Sequence, residues 1–212
     1  MDAPRHDFLS ASQAYCSTLA IGLGANLPGP AGTPRATLEC VRPQLERLLI
    51  NWLQGNKDLQ VSWSPLYRTR PVGGPPDQPV FVNAVLVVRG YELQKLVPDE
   101  ETALALLDRL QTLERLHGRT HGTDAARWGP RSLDLDILFW NTLQIQHRRL
   151  VLPHPRLHLR AFVLAPLAAA LVGPNEVPDQ LDASLLWPEG VISLHAGSRP
   201  DADFNVSPST TS

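Results

Sequence analysis

The sequence predicts an α+β sandwich, and three observations predict it. Short apolar runs that end in glycine, such as TLAIGLGAN at 18–26 and FVNAVLVVRGY at 81–91, read as strands. Two longer stretches carry leucines at helical spacing. Strands and helices follow one another as β-α-β-β-α-β with one helix more.

Each element has its own signal. After LPGPAG, Thr33 and Pro34 have the form of a helix N-cap with proline in the first turn. Leu38, Val41, Leu45, Leu48 and Leu49 then recur at helical spacing, and Pro43 inside that pattern predicts a kink or a restart. LQVSWSPLYRTRPV, at 59–72, reads as a second strand interrupted by Pro65, hence an edge or bulged one. The loop GGPPDQP leads into the third strand. Asp99, Glu100 and Glu101 open the second helix with the acidic first turn that its dipole favours. Leu106, Leu107, Leu110 and Leu113 share one face of it, and it ends near Gly118. SLDLDILFW is the fourth strand, and the last helix covers 160–171. The order is that of a ferredoxin-like βαββαβ sandwich with an additional C-terminal helix. Residues 18–172 form the expected catalytic domain, with 1–17 an N-terminal extension and 173–212 a partly disordered C-terminal one.

Bulk properties exclude several classes. A chain of 212 residues with 43% hydrophobic content suits one globular domain with tails. A formal charge of −2 argues against a general nucleic-acid binder. Cys16 and Cys40 make neither a disulfide framework nor a metal cluster. The N-terminus lacks the apolar core of a signal peptide, and AFVLAPLAAALV is too short to span a bilayer. A cytoplasmic protein, with no membrane and no nucleic-acid partner, is expected.

Asp134 and Asp136 stand out because they interrupt an apolar strand. Two residues apart on a strand, they share a face with a separation of roughly 6–7 Å, while Leu133, Leu135 and Ile137 fill the other face. Like charges so placed repel, so a cation belongs there. Mg²⁺ prefers a few carboxylates plus substrate phosphates, and such a pair suits a two-metal site. Arg119, Arg127 and Arg131 precede the pair, and Arg149, His154 and Arg160 follow it. Acids for metal beside cations for phosphate are what a nucleoside triphosphate requires. The chain has no GxxxxGK[ST] loop, and Gly22 with Gly24 makes only half a dinucleotide fingerprint.

Four blocks resemble 6-hydroxymethyl-7,8-dihydropterin pyrophosphokinase of folate synthesis: IGLGANL, SPLYRTRPVGGPPDQPVFVNAV, the stretch from LERLHGR to RWGPRSLDLDIL, and LVLPHPRLHLRAFVLAPL. They run in the family's order over residues 19–168. The resemblance implies a ferredoxin-like fold, ATP as co-substrate, two Mg²⁺ ions, and transfer of pyrophosphate to the pterin's hydroxymethyl oxygen with release of AMP. By the same resemblance Asp134 and Asp136 are the metal ligands, and Arg119 and Arg131 are the catalytic cations. Thr69, Val72, Asn83, Phe81 and Phe162 form the pterin pocket, the two aromatics stacking on the ring. Gln111, Glu114, Trp128, Arg149, His154 and Arg160 contact the nucleotide. The enzyme is expected to act as a monomer. Three departures stand out: Ala25 replaces a usual serine, loop RTHGTDAARWGPR is long and carries His121, and the first helix region contains Pro43.

Taken singly, several of these residues have ordinary readings. Phe81 and Phe162 read equally as core, His154 as a turn residue, and the arginines as loop cations. Two other functions remain open at this point. An RRM-like RNA-binding module shares the topology, although FVNAVLVV offers one aromatic and no cation. A non-catalytic pterin binder keeps the fold but has no need of the aspartate pair.

Overall fold

The computed structural model describes residues 17–53, 59–90, 93, 98–120 and 129–172, and the backbone of 191–194. Strand β1 (Ser17–Ala25) leads to helix α1 (Pro34–Trp52), where the Thr33 hydroxyl accepts from the Ala36 amide at 3.2 Å. Helix α1 runs on through Pro43, so the expected restart does not occur. Pro43 and Glu39, whose carbonyl loses its helical partner, are both exposed, and water can take that hydrogen bond.

The second strand is two strands, β2 (Gln60–Trp63) and β3 (Leu66–Thr69), and both pair antiparallel with β4 (Phe81–Gly90). At the break the Ser64 amide donates to the Val85 carbonyl at 2.9 Å. The Ser64 hydroxyl accepts from the Val85 amide at 2.9 Å, so a side chain carries the ladder past Pro65.

Helix α2 (Glu100–Leu116) is capped by Asp99, which accepts from the Thr102 amide at 2.8 Å. Gly118 follows it with φ +84°, a conformation suited to glycine. Strand β5 (Asp134–Trp140) comes next. A small antiparallel hairpin follows, β6 (Ile145–His147) with β7 (Leu150–Leu152), which periodicity does not reveal. A 3₁₀ turn (Leu157–Leu159) precedes helix α3 (Ala161–Val172). Strand β8 (Val191–Leu194) lies within the stretch read as a tail and pairs antiparallel with β3. The remaining residues of both extensions lie outside the described ones.

The main sheet runs β5-β1-β4-β3-β8, with β2 also on β4, and its pairings are antiparallel. Its two faces have different jobs, and alternation along β1 shows why. Leu19, Ile21, Leu23 and Ala25 join Leu38, Val41 and Leu45 of α1, Leu106 and Leu110 of α2, and Leu135 and Ile137 of β5 in the large core. Each fully buried Leu or Ile there contributes about 1.5–3 kcal/mol over exposure. On the other face β1 presents Ala20, Gly22 and Gly24. Helix α3 covers only part of that face, through a cluster of Ala20, Val85, Val87, Leu138, Leu167 and Ala170. Among the described residues the rest of it is open.

Candidate active site

The open part of that face is a cavity of about 340 Å³, within the range of small-molecule sites. Strand register builds it. Gly24 pairs with Asn83 on one side and Asp134 on the other, and Gly22 pairs with Val85 and Asp136. The two glycines therefore floor a trough between the carboxylates of β5 and the side chains of β4. Leu138 closes one end: a Cβ on Gly22 would stand 3.2 Å from its Cδ2. Residues 154–156 and the start of α3 complete the wall.

One wall is ionic. Arg119 donates from Nη1 to both Glu114 and Asp134, and Arg131 donates from Nη1 to the other Asp134 oxygen. Glu114 is only 2% exposed, and its Oε1 also accepts from the Leu135 amide at 2.7 Å. Burial raises its pKa to about 7, even with the Arg119 charge pulling the other way. Burial alone would lower Arg119, but Asp134 and Glu114 reverse the sign and hold it firmly protonated. Asp136 is raised to about 7, first by burial and then by the charge of Asp134. Arg160 is lowered by burial, against the pull of Asp136. His154 is also lowered, by burial and by Arg160. Its Nδ1 accepts from the Arg156 amide at 3.2 Å, which leaves Nε2 as the proton-bearing nitrogen.

The opposite wall is mostly neutral, with Arg70 next to Thr69 its one cation among the described residues. Asn83 is 7% exposed and donates from Nδ2 to the Thr69 hydroxyl at 2.7 Å. Phe81 and Phe162 are half-buried at the cavity, and the Arg160 guanidinium sits 5.4 Å from the Phe162 ring centre. Val72 is exposed at the mouth.

The cavity thus gathers Thr69, Val72, Phe81, Asn83, Arg119, Arg131, Asp134, Asp136, His154, Arg160 and Phe162. Gln111, Glu114 and Arg149 do not line it. Arg149 pairs with Asp108 of α2, one helical turn before Gln111. Trp128, with His121 and Arg127, lies outside the described residues. Ala25 is fully buried in the large core and so faces away from the cavity. Sequence reasoning missed Gly22 and Gly24 as the floor, though two glycines at i and i+2 of a strand bare one face. It also missed Arg70, Gln78 and Arg156, which line the cavity.

Among the described residues no group of three or more His, Cys, Asp or Glu could hold a metal by itself. Two carboxylates of one strand, which burial and mutual repulsion disfavour as a charged pair, fit a hard cation that takes its other ligands from phosphate and water. No described helix is long and apolar enough to cross a membrane.

The family model described as 7,8-dihydro-6-hydroxymethylpterin-pyrophosphokinase (HPPK) matches residues 20–171. Proteins named 2-amino-4-hydroxy-6-hydroxymethyldihydropteridine pyrophosphokinase are similar to the chain. That of Haemophilus influenzae is 38% identical over 161 residues, which is 74% of this chain and 86% of the relative. That of Pseudomonas aeruginosa is 40% identical over 148 residues, 70% of this chain and 76% of the relative. The match spans every cavity residue from Gly22 to Val163, and the chain belongs to the 7,8-dihydro-6-hydroxymethylpterin-pyrophosphokinase family.

Proposed function

We infer that this chain transfers the pyrophosphoryl group of ATP to 6-hydroxymethyl-7,8-dihydropterin in folate biosynthesis, giving the pterin diphosphate and AMP. One observation carries the reading: one cavity sets an ionic wall of carboxylates and guanidiniums against a wall made mainly of amide, hydroxyl and aromatic rings.

The catalytic unit is residues 18–172, a ferredoxin-like βαββαβ sandwich with an added C-terminal helix, working as a cytoplasmic monomer with 1–17 and 173–212 as extensions. Asn83 spends one N–H on Thr69 and keeps its second N–H and its acceptor oxygen for the pterin's ring edge. Phe81 and Phe162 stack on the flat heterocycle, and Val72 borders it. Arg119, Arg131, Arg160 and the Nε2–H of His154 hold the phosphate chain from both sides of β5. Gln111 and Arg149, the latter held by Asp108 one turn before Gln111, meet the nucleoside, as does Trp128. Glu114 serves the nucleotide indirectly by fixing Arg119 and the Leu135 amide.

In the reaction the hydroxymethyl oxygen attacks the β-phosphorus and releases its proton. The bond from that phosphorus to the α–β bridging oxygen breaks, and AMP leaves with that oxygen. Arg119 and Arg131 neutralise charge along the chain as it is handed over. Two Mg²⁺ ions held by Asp134 and Asp136 would supply positive charge at the phosphate oxygens and lower the hydroxyl's pKa. The two walls fix hydroxyl and phosphorus within reach of each other.

Product chromatography after incubation with ATP, Mg²⁺ and the pterin tests this. AMP and pterin diphosphate in equal amounts are expected; ADP with a monophosphorylated pterin would overturn it.

A further inference from the structure

We propose that Asn26 is a positioning residue that sets the spacing between the cavity's two walls. It is 2% exposed, immediately follows β1, and does not line the cavity. Its Oδ1 accepts from the Arg131 amide at 2.7 Å, and its own amide donates back to the Arg131 carbonyl at 3.0 Å. The Leu27 amide shares that carbonyl at 3.1 Å. From the same side chain, Nδ2 donates to the Pro79 carbonyl at 3.1 Å.

The two partners belong to opposite walls. Arg131 stands three residues before Asp134 and bonds it; Pro79 stands two residues before Phe81. Neither partner lies in regular secondary structure, so backbone ladders do not place them. Gln78, the residue before Pro79, donates to the carbonyls of Gly73 and Pro75, bonds that stay within the loop. The Asn26 amide ties that loop to the end of β1, where the strand's register is fixed by both neighbours. An amide is the side chain for this, because it accepts at one end and donates at the other. The inference rests on the site reading above.

Two variants separate the two bonds. Asn26→Asp keeps the acceptor for the Arg131 amide and replaces the donor to Pro79 with an oxygen that repels the carbonyl. Asn26→Ala removes both. The expected result is a split: N26D binds the pterin about tenfold more weakly with kcat near wild type, whereas N26A loses about tenfold in pterin affinity and in kcat. Amide hydrogen exchange at Arg131, read against amides of β1 and β4, supplies a further readout, because general loosening would move all of them together. Protection should persist in N26D and fall about tenfold in N26A. If N26A does not fold, Asn26→Ser, too short to span both partners, takes its place. Unchanged pterin affinity in either variant, an equal effect of the two on kcat, or unchanged protection in N26A overturns the proposal. The site reading is checked apart from this, by AMP formation in the wild type and its loss in Asp134→Asn.

Discussion

The carboxamide of Asn83 rests against the bare backbone of Gly24: a Cβ at Gly24 would stand 3.0 Å from Asn83 Oδ1 and 4.0 Å from Phe81 Cδ1. That is tighter than nine in ten real Cβ contacts, so Gly24→Ala asks Asn83, itself tied to Thr69, to give by a few tenths of an ångström. We expect kcat/KM for the pterin to fall by roughly 10–100-fold while ATP binding holds. Titration calorimetry with each substrate measures the difference. Equal weakening for both substrates would remove Asn83 from the pterin wall.

Asp134→Asn and Asp136→Asn should each abolish turnover and leave the fold intact. Replacing one charge of a same-face pair relieves repulsion, so the melting temperature without Mg²⁺ should stay at or above wild type for Asp136→Asn. Asp134 also anchors Arg119 and Arg131, so its variant should melt lower than that of Asp136. Activity close to wild type at saturating Mg²⁺ in either variant would refute the metal assignment.

Phe81→Ala and Phe162→Ala should weaken pterin binding by roughly 1–3 kcal/mol per ring face, on the scale of base stacking. Phe162 also lies under Arg160, so its loss should reach ATP slightly, whereas that of Phe81 should not. Unchanged pterin affinity with a lowered melting temperature would return both rings to the core.

His117 predicts a pH effect on stability away from the cavity. It is 6% exposed, burial lowers its pKa, and its Nδ1 has no hydrogen-bond partner. Nε2 faces Gln44 Oε1 of α1 at 3.3 Å. The unfolded chain takes up this proton near pH 6.5 and the folded chain at lower pH, so unfolding binds protons. The stabilising contribution is complete above about pH 6.5 and is lost as pH falls from there toward the folded value. Denaturant melts at several pH values, wild type against His117→Gln, should diverge in that window. Parallel curves would show that His117 titrates normally.

Much of this was readable in the sequence where a short period or a cap carried the signal. Thr33 and Asp99 cap the helices they were expected to cap, and the aspartates share a face because a strand repeats every two residues. What could not be read depends on contacts distant in the chain. The β6 and β7 strands have three residues each, too few for a period to show. Arg149 meets Asp108 41 positions away, and nothing local announces it. The resemblance sets Glu114 among the nucleotide contacts, but nothing local announces that it is buried and bonded to Arg119 and the Leu135 amide. The expectation at Pro43 is a kink or a restart; α1 does not restart there, because on the solvent side the lost bond costs little.

Strand β1 reads two programmes at once, one set of alternate residues packing the core and the other flooring the cavity. Slipping it by a single position would turn leucines under the substrates and leave glycines where the core needs bulk. Misassembled molecules therefore cannot be half-working ones. They lose the site and the core together, and a chain without its core is open to proteolysis.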